Sequence, residues 1–340
     1  MSRSETVDGE STAARGVGPD SRGLRIGVDL GGTKIEVAAL APDGRYLSRL
    51  RAPTPDRYDS AIRSIRDLVV ETEAAVGSPG SVGVGAPGSI SPSSGRVRNA
   101  NTLWLNNRTP SQDLAEALGR PIRMANDANC MALSEVVDGA AAGARTAFAV
   151  ILGTGCGGGL VVDGRLIEGS NGIGGEWGHL PLPWAAADET PGPECWCGRR
   201  GCLETWVSGS GLRRAYEART GRTLKGEEIV AAAEAGEAEA MEALDRLFDR
   251  LGRGLAVICD ILDPEIFVFG GGLSRVESLY QRLPGLIAPH VFSDLWSAKL
   301  APAHWGDASG VRGAAMLWSQ PDWGLSPPVA GIPELAAGLA

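Results

Sequence analysis

Three cysteines occur close together in the segment CWCGRRGCLE (195–204), although the chain of 340 residues contains only six. Thiols at such a spacing could form a disulfide, act as a redox pair or bind a metal ion. The spacing of Cys195, Cys197 and Cys202 differs from the CxxC of thioredoxin-like redox proteins. Three thiolates supply three of the four ligands of a tetrahedral zinc ion, so the pattern favours zinc with a fourth ligand from elsewhere.

Few residues can supply the fourth ligand, because the chain contains only three histidines, His179, His290 and His304. His179 lies closest to the cysteines and belongs to a glycine-rich segment, which makes it the best candidate. A zinc ion with four protein ligands has no open position for water, so we expect a structural rather than a catalytic zinc.

The N-terminal segment does not resemble a secretory signal. Residues 1–22 are polar, carry both charges and contain no central apolar run. No stretch of the sequence approaches the roughly 20 apolar residues that a membrane-spanning helix needs. We therefore expect a cytoplasmic protein that does not enter a membrane, in which thiols stay reduced and a disulfide framework is unfavourable.

Three glycine-rich loops follow apolar runs, in DLGGT (29–33), LGTGCGGG (152–159) and FGGGL (269–273). Glycine lets backbone N–H groups approach an anion closely, as phosphate binding requires. Any one of these loops alone is best interpreted as a tight hairpin. Three together, with a carboxylate at Asp29 and a hydroxyl at Thr33, favour a site for phosphate and Mg²⁺.

Two well-known nucleotide motifs are not matched by these loops. The Walker pattern GxxxxGK[ST] is absent from the sequence. GTGCGG (153–158) has the GxGxxG form, but LVV follows it and predicts a strand, whereas the dinucleotide fingerprint needs a helix. The loops therefore require another kind of phosphate site.

Apolar periodicity predicts strands that alternate with helices, which indicates an α/β fold. One predicted helix, 58–76, carries Ile62, Ile65, Val69 and Val70 on a single stripe. The strands are expected at 24–30, 34–40, 81–87, 147–155 and 266–270, and the other helices at 128–140 and 237–262.

Composition limits the classes of function. A chain of this length with 43% hydrophobic residues can form two packed domains. Its formal net charge of −9 argues against a general nucleic-acid surface, for which basic patches are needed. The negative charge does not exclude nucleotides, because backbone amides and Mg²⁺ can hold them.

Five motifs in a fixed order, DLGGTK, NDAN (126–129), LGTGCGGG, GEWGH (175–179) and CWCGRRGCLE, resemble the ROK family. This family contains bacterial sugar kinases and sugar-responsive repressors, and the resemblance extends over residues 24–318. The stretches 88–106 and 125–144 are similar to those of bacterial ROK fructokinases. The resemblance implies an α/β, two-domain actin/hexokinase-like (ribonuclease H-like) ATPase fold with a central cleft.

The same resemblance implies a role for each motif. Asp127 would be the general base that accepts a proton from a sugar hydroxyl, although an aspartate at this point could instead cap the following helix. Zinc would be held by His179, Cys195, Cys197 and Cys202. The sugar-binding residues would be Gly88, Asn101, Asn126, Glu176, His179 and Glu204. ATP with Mg²⁺ would be bound by Asp29, Gly31, Gly32, Thr33, Lys34, Gly153, Thr154, Gly155, Gly157, Gly270, Gly271 and Gly272.

The expected domains follow from the resemblance and from composition. A small α/β domain is predicted at 24–125 and a large one with the zinc loop at 126–307, with a helix at 308–320 returning to the small domain. The segments 1–23 and 321–340 are expected to be a disordered and a loose tail. Dimers are frequent in the family, which makes a homodimer an expectation here too.

The predicted function is an ATP-dependent hexose kinase, with fructose, and mannose as a further substrate, phosphorylated at the 6-hydroxyl. Glucokinase and N-acetylmannosamine kinase are the alternatives within the family. A sugar-sensing repressor is the alternative of a different class. Such repressors carry a helix-turn-helix domain before the DxGGT strand, and the 28 residues before Asp29 are too few for one. The sequence therefore predicts a kinase.

Overall fold

The computed structural model describes residues 23–319, so the two predicted tails lie outside the described residues, apart from Gly23. The strands of this range are short. They are β1 (Arg25–Leu30), β2 (Lys34–Leu40), β3 (Tyr46–Pro53), β4 (Ser81–Ala86), β5 (Ser89–Ile90), β6 (Val97–Arg98), β7 (Ile122–Asn126), β8 (Thr146–Leu152), β9 (Cys156–Val162), β10 (Arg165–Leu166), β11 (Ile266–Gly270) and β12 (Lys299–Pro302). Of these strands, β1, β2, β4, β8 and β11 are largely buried.

None of the helices in the described range is long and apolar enough to cross a membrane. The helices are α1 (Tyr58–Val76), α2 (Pro110–Leu118), α3 (Asp127–Asp138), α4 (Glu204–Val207), α5 (Gly209–Thr220), α6 (Gly226–Glu234), α7 (Ala238–Leu262), α8 (Glu277–Ile287) and α9 (Ser309–Met316). Helix α7 buries one apolar face, with leucines at 244, 247, 251 and 255 spaced three or four residues apart, whereas α3 and α9 are buried nearly all round.

Two five-stranded sheets share one connection pattern. Their strand orders are β3-β2-β1-β4-β7 and β10-β9-β8-β11-β12. In each sheet the first three strands along the chain form an antiparallel meander, and the last two run parallel to the first. The architecture is therefore duplicated although the sequence shows no repeat. The loops DLGGT and LGTGCGGG occupy corresponding turns, β1–β2 and β8–β9.

The parallel strands of the first sheet bring three loops to one edge, because parallel strands end on the same side. Asp29, near the end of β1, is paired with Gly85 of β4, and Ala86 is paired with Asn126 at the end of β7. Asp29 thus lies near the end of β1, while Gly88 and Asp127 follow the ends of β4 and β7. The three residues lie at the same end of the sheet, although almost 100 residues separate Asp29 from Asp127 in the sequence.

Helices α3 and α9 pack against each other at very short range. A methyl group built on Gly313 of α9 would lie 1.7 Å from the carbonyl oxygen of Cys130 in α3, so only glycine fits there. The buried carboxylate of Glu135 accepts hydrogen bonds from the Ser309 hydroxyl at 2.8 Å and from the backbone N–H of His304 at 2.9 Å. Because α9 also packs on β1 and β4, it connects α3 to the first sheet.

The observed elements agree with the α/β prediction, and their bounds differ from the predicted ones by a few residues at most. One predicted core position is wrong. Val70 is 54% exposed, whereas Ile65 and Val69 are fully buried. Val70 lies about 100° round the helix from Val69, on the far side of the buried stripe.

Candidate active site

The helix α3 begins at the end of β7 with its functional residues at the N-terminus. Asn126 is the N-cap, and its side-chain oxygen accepts the Ala128 N–H at 2.9 Å. The carboxylate of Asp127 accepts the same N–H at 2.8 Å. The Asn126 amide donates to the Gly88 carbonyl at 3.0 Å, which ties this helix start to the loop after β4. The N-cap is therefore Asn126, whereas the alternative interpretation predicted Asp127. Asp127 is the first helical residue, and its contact with one N–H of the first turn does not exclude a chemical role.

Electrostatics distinguish Asp127 from an ordinary surface aspartate. Burial is the main cause that raises the pKa of Asp127 to about 6, and the negative charge of Glu176 raises it further. The hydrogen bond from the Ala128 N–H lowers this pKa, because it stabilises the charged carboxylate. Burial also raises the pKa of Asp29 to about 7, with the charge of Asp127 as the next cause. Carboxylates with a pKa near neutrality can accept a proton at physiological pH and release it again.

Asp127 lines a cleft of about 590 Å³ to which both halves of the chain contribute. The structure brings to this cleft all of the predicted sugar-binding residues and part of the predicted nucleotide-binding set. The predicted residues along it are Gly88, Asn101, Asn126, Asp127, Gly153, Thr154, Gly155, Gly157, Glu176, His179, Cys195 and Glu204.

Two of the three glycine loops are hairpin turns, as the simpler interpretation predicted. Gly31 N–H donates to the Lys34 carbonyl at 3.0 Å, and Gly153 N–H donates to the Gly155 carbonyl at 3.0 Å. The GTGCGG match is therefore the turn between β8 and β9, which agrees with the strand expected after it.

The glycine loops approach one another and the start of α3. A methyl group on Gly271 would lie 2.5 Å from the Leu152 carbonyl, and one on Gly157 would lie 3.5 Å from the Ala128 side chain. Such a group on Gly32 would lie 3.7 Å from the Thr102 hydroxyl, next to Asn101.

Several predicted nucleotide-binding residues lie away from the walls of the cleft. Gly270 and Gly271 line a neighbouring cavity of about 390 Å³ together with Arg275 and Tyr280. Among the described residues, neither cavity wall includes Asp29, Gly31, Gly32, Thr33, Lys34 or Gly272. The Lys34 ammonium lies 3.5 Å from the buried carboxylate of Glu36.

Two hydrogen bonds fix the carboxylate of Glu204, one to each of its oxygens. The Trp196 indole N–H donates to Oε1 at 2.8 Å, and the Cys156 backbone N–H donates to Oε2 at 3.0 Å. A methyl group on Gly155 would lie 2.5 Å from Oε2, so the carboxylate rests directly on the glycine hairpin. Because a carboxylate has about four acceptor positions, Glu204 can still accept hydroxyl groups of a ligand.

The four predicted metal ligands meet at one point. One ligand atom from each of His179, Cys195, Cys197 and Cys202 lies within 4.8 Å of the others. His179 Nδ1 is 3.6 Å from Cys195 Sγ, and Cys197 Sγ is 3.6 Å from Cys202 Sγ. Tetrahedral zinc with bonds of about 2.3 Å to sulfur spaces its ligands by roughly 3.7 Å, so the donor set and its spacing fit zinc.

The remaining cysteines lie apart from this cluster. Cys130, Cys156 and Cys259 are buried, and burial raises the pKa of each thiol. They are therefore small core residues rather than nucleophiles, in agreement with their apolar sequence context.

Several cleft residues were not predicted as binding residues from the sequence. Asn99 has a left-handed backbone (φ 59°) and an exposed side chain, and nothing local in RNAN predicts that conformation. Five more lie on the loop that carries the three clustered cysteines (195–202) or after it, where a polar sequence could equally face solvent. They are Trp196, Thr205, Ser208, Ser210 and Arg214. The other wall residues without a predicted binding role are Pro87, Ile151, Cys156, Gly158 and Glu194.

Comparison with known sequences identifies the family. A family model described as ROK family matches residues 25–321. The N-acetyl-D-glucosamine kinase of Pectobacterium atrosepticum is 40% identical over 299 residues, which are 86% of this chain and 98% of that protein. The N-acetyl-D-glucosamine kinase of Photobacterium profundum is 40% identical over 86% of this chain and 99% of that protein.

Solved structures give the same result. The ROK hexokinase of Thermus thermophilus is 32% identical, with a TM-score of 0.77 over 86% of this chain and 97% of that one. A ROK family glucokinase from Streptomyces griseus, solved with glucose and AMPPNP, is 29% identical, with a TM-score of 0.73 over 87% of this chain and 99% of that one. These proteins are named as sugar kinases, and none of them as a fructokinase. The chain belongs to the ROK family and has the hexokinase-like fold of its solved members.

Proposed function

We propose that this ROK protein is an ATP-dependent sugar kinase whose acceptor is N-acetyl-D-glucosamine, phosphorylated at the 6-hydroxyl. Relatives 38–40% identical over 86% of the chain carry that name, and this level of similarity supports the choice of acceptor. The prediction of fructose receives no support from these relatives. N-acetyl-D-glucosamine therefore replaces fructose as the proposed substrate.

One observation carries the kinase chemistry: Asp127 lines the cleft at the N-terminus of α3 and has a pKa of about 6. In the proposed reaction the sugar hydroxyl transfers its proton to this carboxylate while its oxygen forms a bond to the γ-phosphorus. The bond between the β-γ bridging oxygen and that phosphorus breaks, and ADP leaves with the electron pair. A base that is deprotonated at pH 7 needs no further activation for this role.

The acceptor would be oriented by hydrogen bonds from both halves of the chain. We assign Asn126, Gly88 and Asn101 to one side of the sugar, and Glu176 and Glu204 to the other. The Asn126 amide is already bonded to the Gly88 carbonyl, and Glu204 is bonded to Trp196 and Cys156. These preformed bonds support the assignment, because side chains that are fixed before binding lose less entropy when the sugar binds.

The phosphates would lie against the glycine loops. The turns β1–β2 and β8–β9 and the loop after β11 are rich in glycine, so their backbone would let an anion approach closely. The half-buried carboxylates of Asp29 and Asp127 would supply hard oxygen ligands, which fit Mg²⁺. Bound with ATP, Mg²⁺ would neutralise the charge that develops on the phosphates. We assign Asp29 to hold it, together with Thr33 and Lys34 of the β1–β2 turn, although these three residues lie outside the cleft walls in the structure.

His179, Cys195, Cys197 and Cys202 would hold the proposed zinc. A ring nitrogen of His179 is directed at the cysteines, and its other ring nitrogen would be free to contact the sugar. Four protein ligands leave no position for a reacting water, so the zinc would stabilise the loop that carries Trp196 and precedes Glu204.

A coupled ADP-release assay with Mg·ATP tests the proposal on five sugars: N-acetyl-D-glucosamine, N-acetyl-D-mannosamine, glucose, mannose and fructose. We expect kcat/KM to be at least about tenfold higher for N-acetyl-D-glucosamine than for the others, as loss of buried hydrogen bonds to the acetamido group would cost about 1.4 kcal/mol or more. Preference for another sugar would overturn the acceptor but keep the kinase. No turnover with any sugar, from folded and zinc-loaded protein, would favour a sugar sensor.

A further inference from the structure

The zinc loop carries an indole group whose exposure is unusual. Trp196 lies between two of the cysteines that we assign to zinc, and it is 57% exposed in a loop rich in glycine and arginine. Its ring lines the sugar cleft and also an adjacent apolar groove of about 740 Å³. Packing alone does not account for a tryptophan in this position, because more than half of its surface faces solvent.

The polar end of Trp196 has a defined partner. Its Nε1–H donates to Glu204 Oε1 at 2.8 Å, while the other oxygen of this carboxylate accepts the Cys156 N–H at 3.0 Å. The indole and the glycine hairpin thus hold Glu204 between them. The Trp196 ring also packs edge-on against His179, with ring centroids 5.0 Å apart. Trp196 therefore contacts two of the residues that we assign to the sugar.

We propose that Trp196 is a positioning residue for the sugar, which acts by fixing the orientation of the Glu204 carboxylate. This inference rests on the proposed function, because it requires Glu204 to bind the acceptor. Without the indole N–H, Oε1 of Glu204 would lose the partner that holds it, and the carboxylate could rotate about the Cys156 contact. Sugar binding would then have to restrict that motion, which weakens the affinity for the acceptor.

The most informative substitution is Trp196→Phe, which keeps an aromatic ring but removes the N–H. A hydrogen bond to a charged group is a strong one, and partial exposure reduces its effect. We expect the KM and the calorimetric Kd for sugar to rise by roughly 5- to 20-fold. The kcat and the KM for Mg·ATP should stay within about twofold of wild type, because neither is proposed to depend on Trp196.

Trp184→Phe is the matched control. Trp184 is exposed to a similar degree, 54%, but its ring stacks on His290 and does not line the cleft. This variant should keep wild-type sugar affinity. Zinc content and Tm are measured for both variants, and they should equal those of wild type if the effect of Trp196→Phe is positional.

A double-mutant cycle tests whether Trp196 acts through Glu204. In a Glu204→Ala background, Trp196→Phe should change the sugar Kd by less than about twofold, because the carboxylate that it orients is gone. Full additivity in this cycle would overturn the inference, and so would an unchanged sugar Kd in Trp196→Phe alone. Loss of zinc in Trp196→Phe would also overturn it and assign Trp196 a structural role.

The calorimetric Kd separates this inference from the proposed function, since it requires no turnover. A wild-type protein that binds N-acetyl-D-glucosamine without phosphorylating it would overturn the kinase assignment, and the Kd comparison would still decide the role of Trp196. A wild-type protein that binds none of the five sugars would overturn both proposals. Normal wild-type turnover with no effect of Trp196→Phe would overturn this inference alone.

Discussion

The charge of Asp127 raises the pKa of Asp29 and is, after burial, the largest cause of the value of about 7 for that carboxyl. Asp29 lies on β1 and Asp127 directly follows β7, and these two strands lie on either side of β4. Two half-buried carboxylates held near each other repel when both are charged. A divalent cation would relieve this repulsion, as expected for a site that binds Mg·ATP.

The activity of the enzyme should depend on the protonation of Asp127. Its pKa of about 6 means that the basic form predominates above pH 6 and is lost as the pH falls through this value. We therefore expect kcat/KM for sugar, at saturating Mg·ATP, to fall about tenfold per pH unit below pH 6 and to level off above pH 7. Initial rates between pH 5 and pH 8.5 measure this dependence.

Loss of structure at low pH is the alternative cause of such a fall. Protein incubated at each pH and assayed again at pH 8 should regain full activity if only Asp127 is titrating. A profile that is flat down to pH 5 would contradict the assignment of Asp127 as the base.

Substitution of the proposed base should separate turnover from binding. Asp127→Asn keeps the shape and the hydrogen bond to Ala128 but cannot accept the proton, so we expect kcat to fall by about 10²- to 10⁴-fold. The Kd for sugar should change by less than about threefold. Near-wild-type kcat in this variant would exclude Asp127 from the mechanism.

The same variant makes a prediction about stability. A carboxyl whose pKa is raised in the folded state binds its proton more tightly in the folded protein than in the unfolded chain. As the pH rises above about 4 the carboxyl of Asp127 must ionise, and the free energy of unfolding falls. At pH 8 the neutral amide introduced by Asp127→Asn should therefore leave Tm unchanged or raise it by a few degrees. Thermal unfolding at pH 8 and at pH 5 measures the difference, which should shrink at the lower pH.

Local features of the sequence predicted the long helices α1, α3 and α7 and five of the twelve strands of the described residues, and they singled out the four residues that cluster as possible metal ligands. The four ligands could be proposed because cysteine and histidine are rare in this chain and the cysteines lie within eight residues. The turn at 153–158 was also predictable, since a strand pattern follows it. The exposure of Val70 was not, because an apolar residue beside the stripe looks the same in sequence as one within it.

Contacts between distant segments could not be predicted from one sequence. Glu135 and Ser309 are 174 residues apart, and nothing near either residue indicates their hydrogen bond. The two hydrogen bonds that hold Glu204 likewise depend on how the zinc loop folds over the β8–β9 turn. The acceptor sugar was the weakest prediction, because similar motifs serve several hexoses and the sequence does not reveal which side chains contact the C2 substituent.

Removal of the proposed zinc should impair sugar binding more than nucleotide binding. Without the metal, the loop that carries His179 and Trp196 would lose its anchor, and both residues adjoin Glu204 or the sugar side of the cleft. We expect the KM for sugar to rise at least about fivefold more than the KM for ATP after chelation. Metal analysis must show that the protein is zinc-free, and re-addition of zinc should restore both constants. Equal changes in the two constants would argue against this coupling.

Helix α9 should tolerate no side chain at Gly313. A methyl group there would lie 1.7 Å from the Cys130 carbonyl, so Gly313→Ala must push α9 away from α3, the helix that begins with Asp127. Overpacking of this kind costs about 1–3 kcal/mol or more, and we expect Tm to fall by about 5 °C or more.

Gly226→Ala is the control, because Gly226 begins α6 and a methyl group there meets nothing within 4 Å. Its Tm should be unchanged or slightly higher, since alanine favours helix over glycine. Equal stability of the two variants in thermal unfolding would show that the α3–α9 contact is looser than the structure indicates.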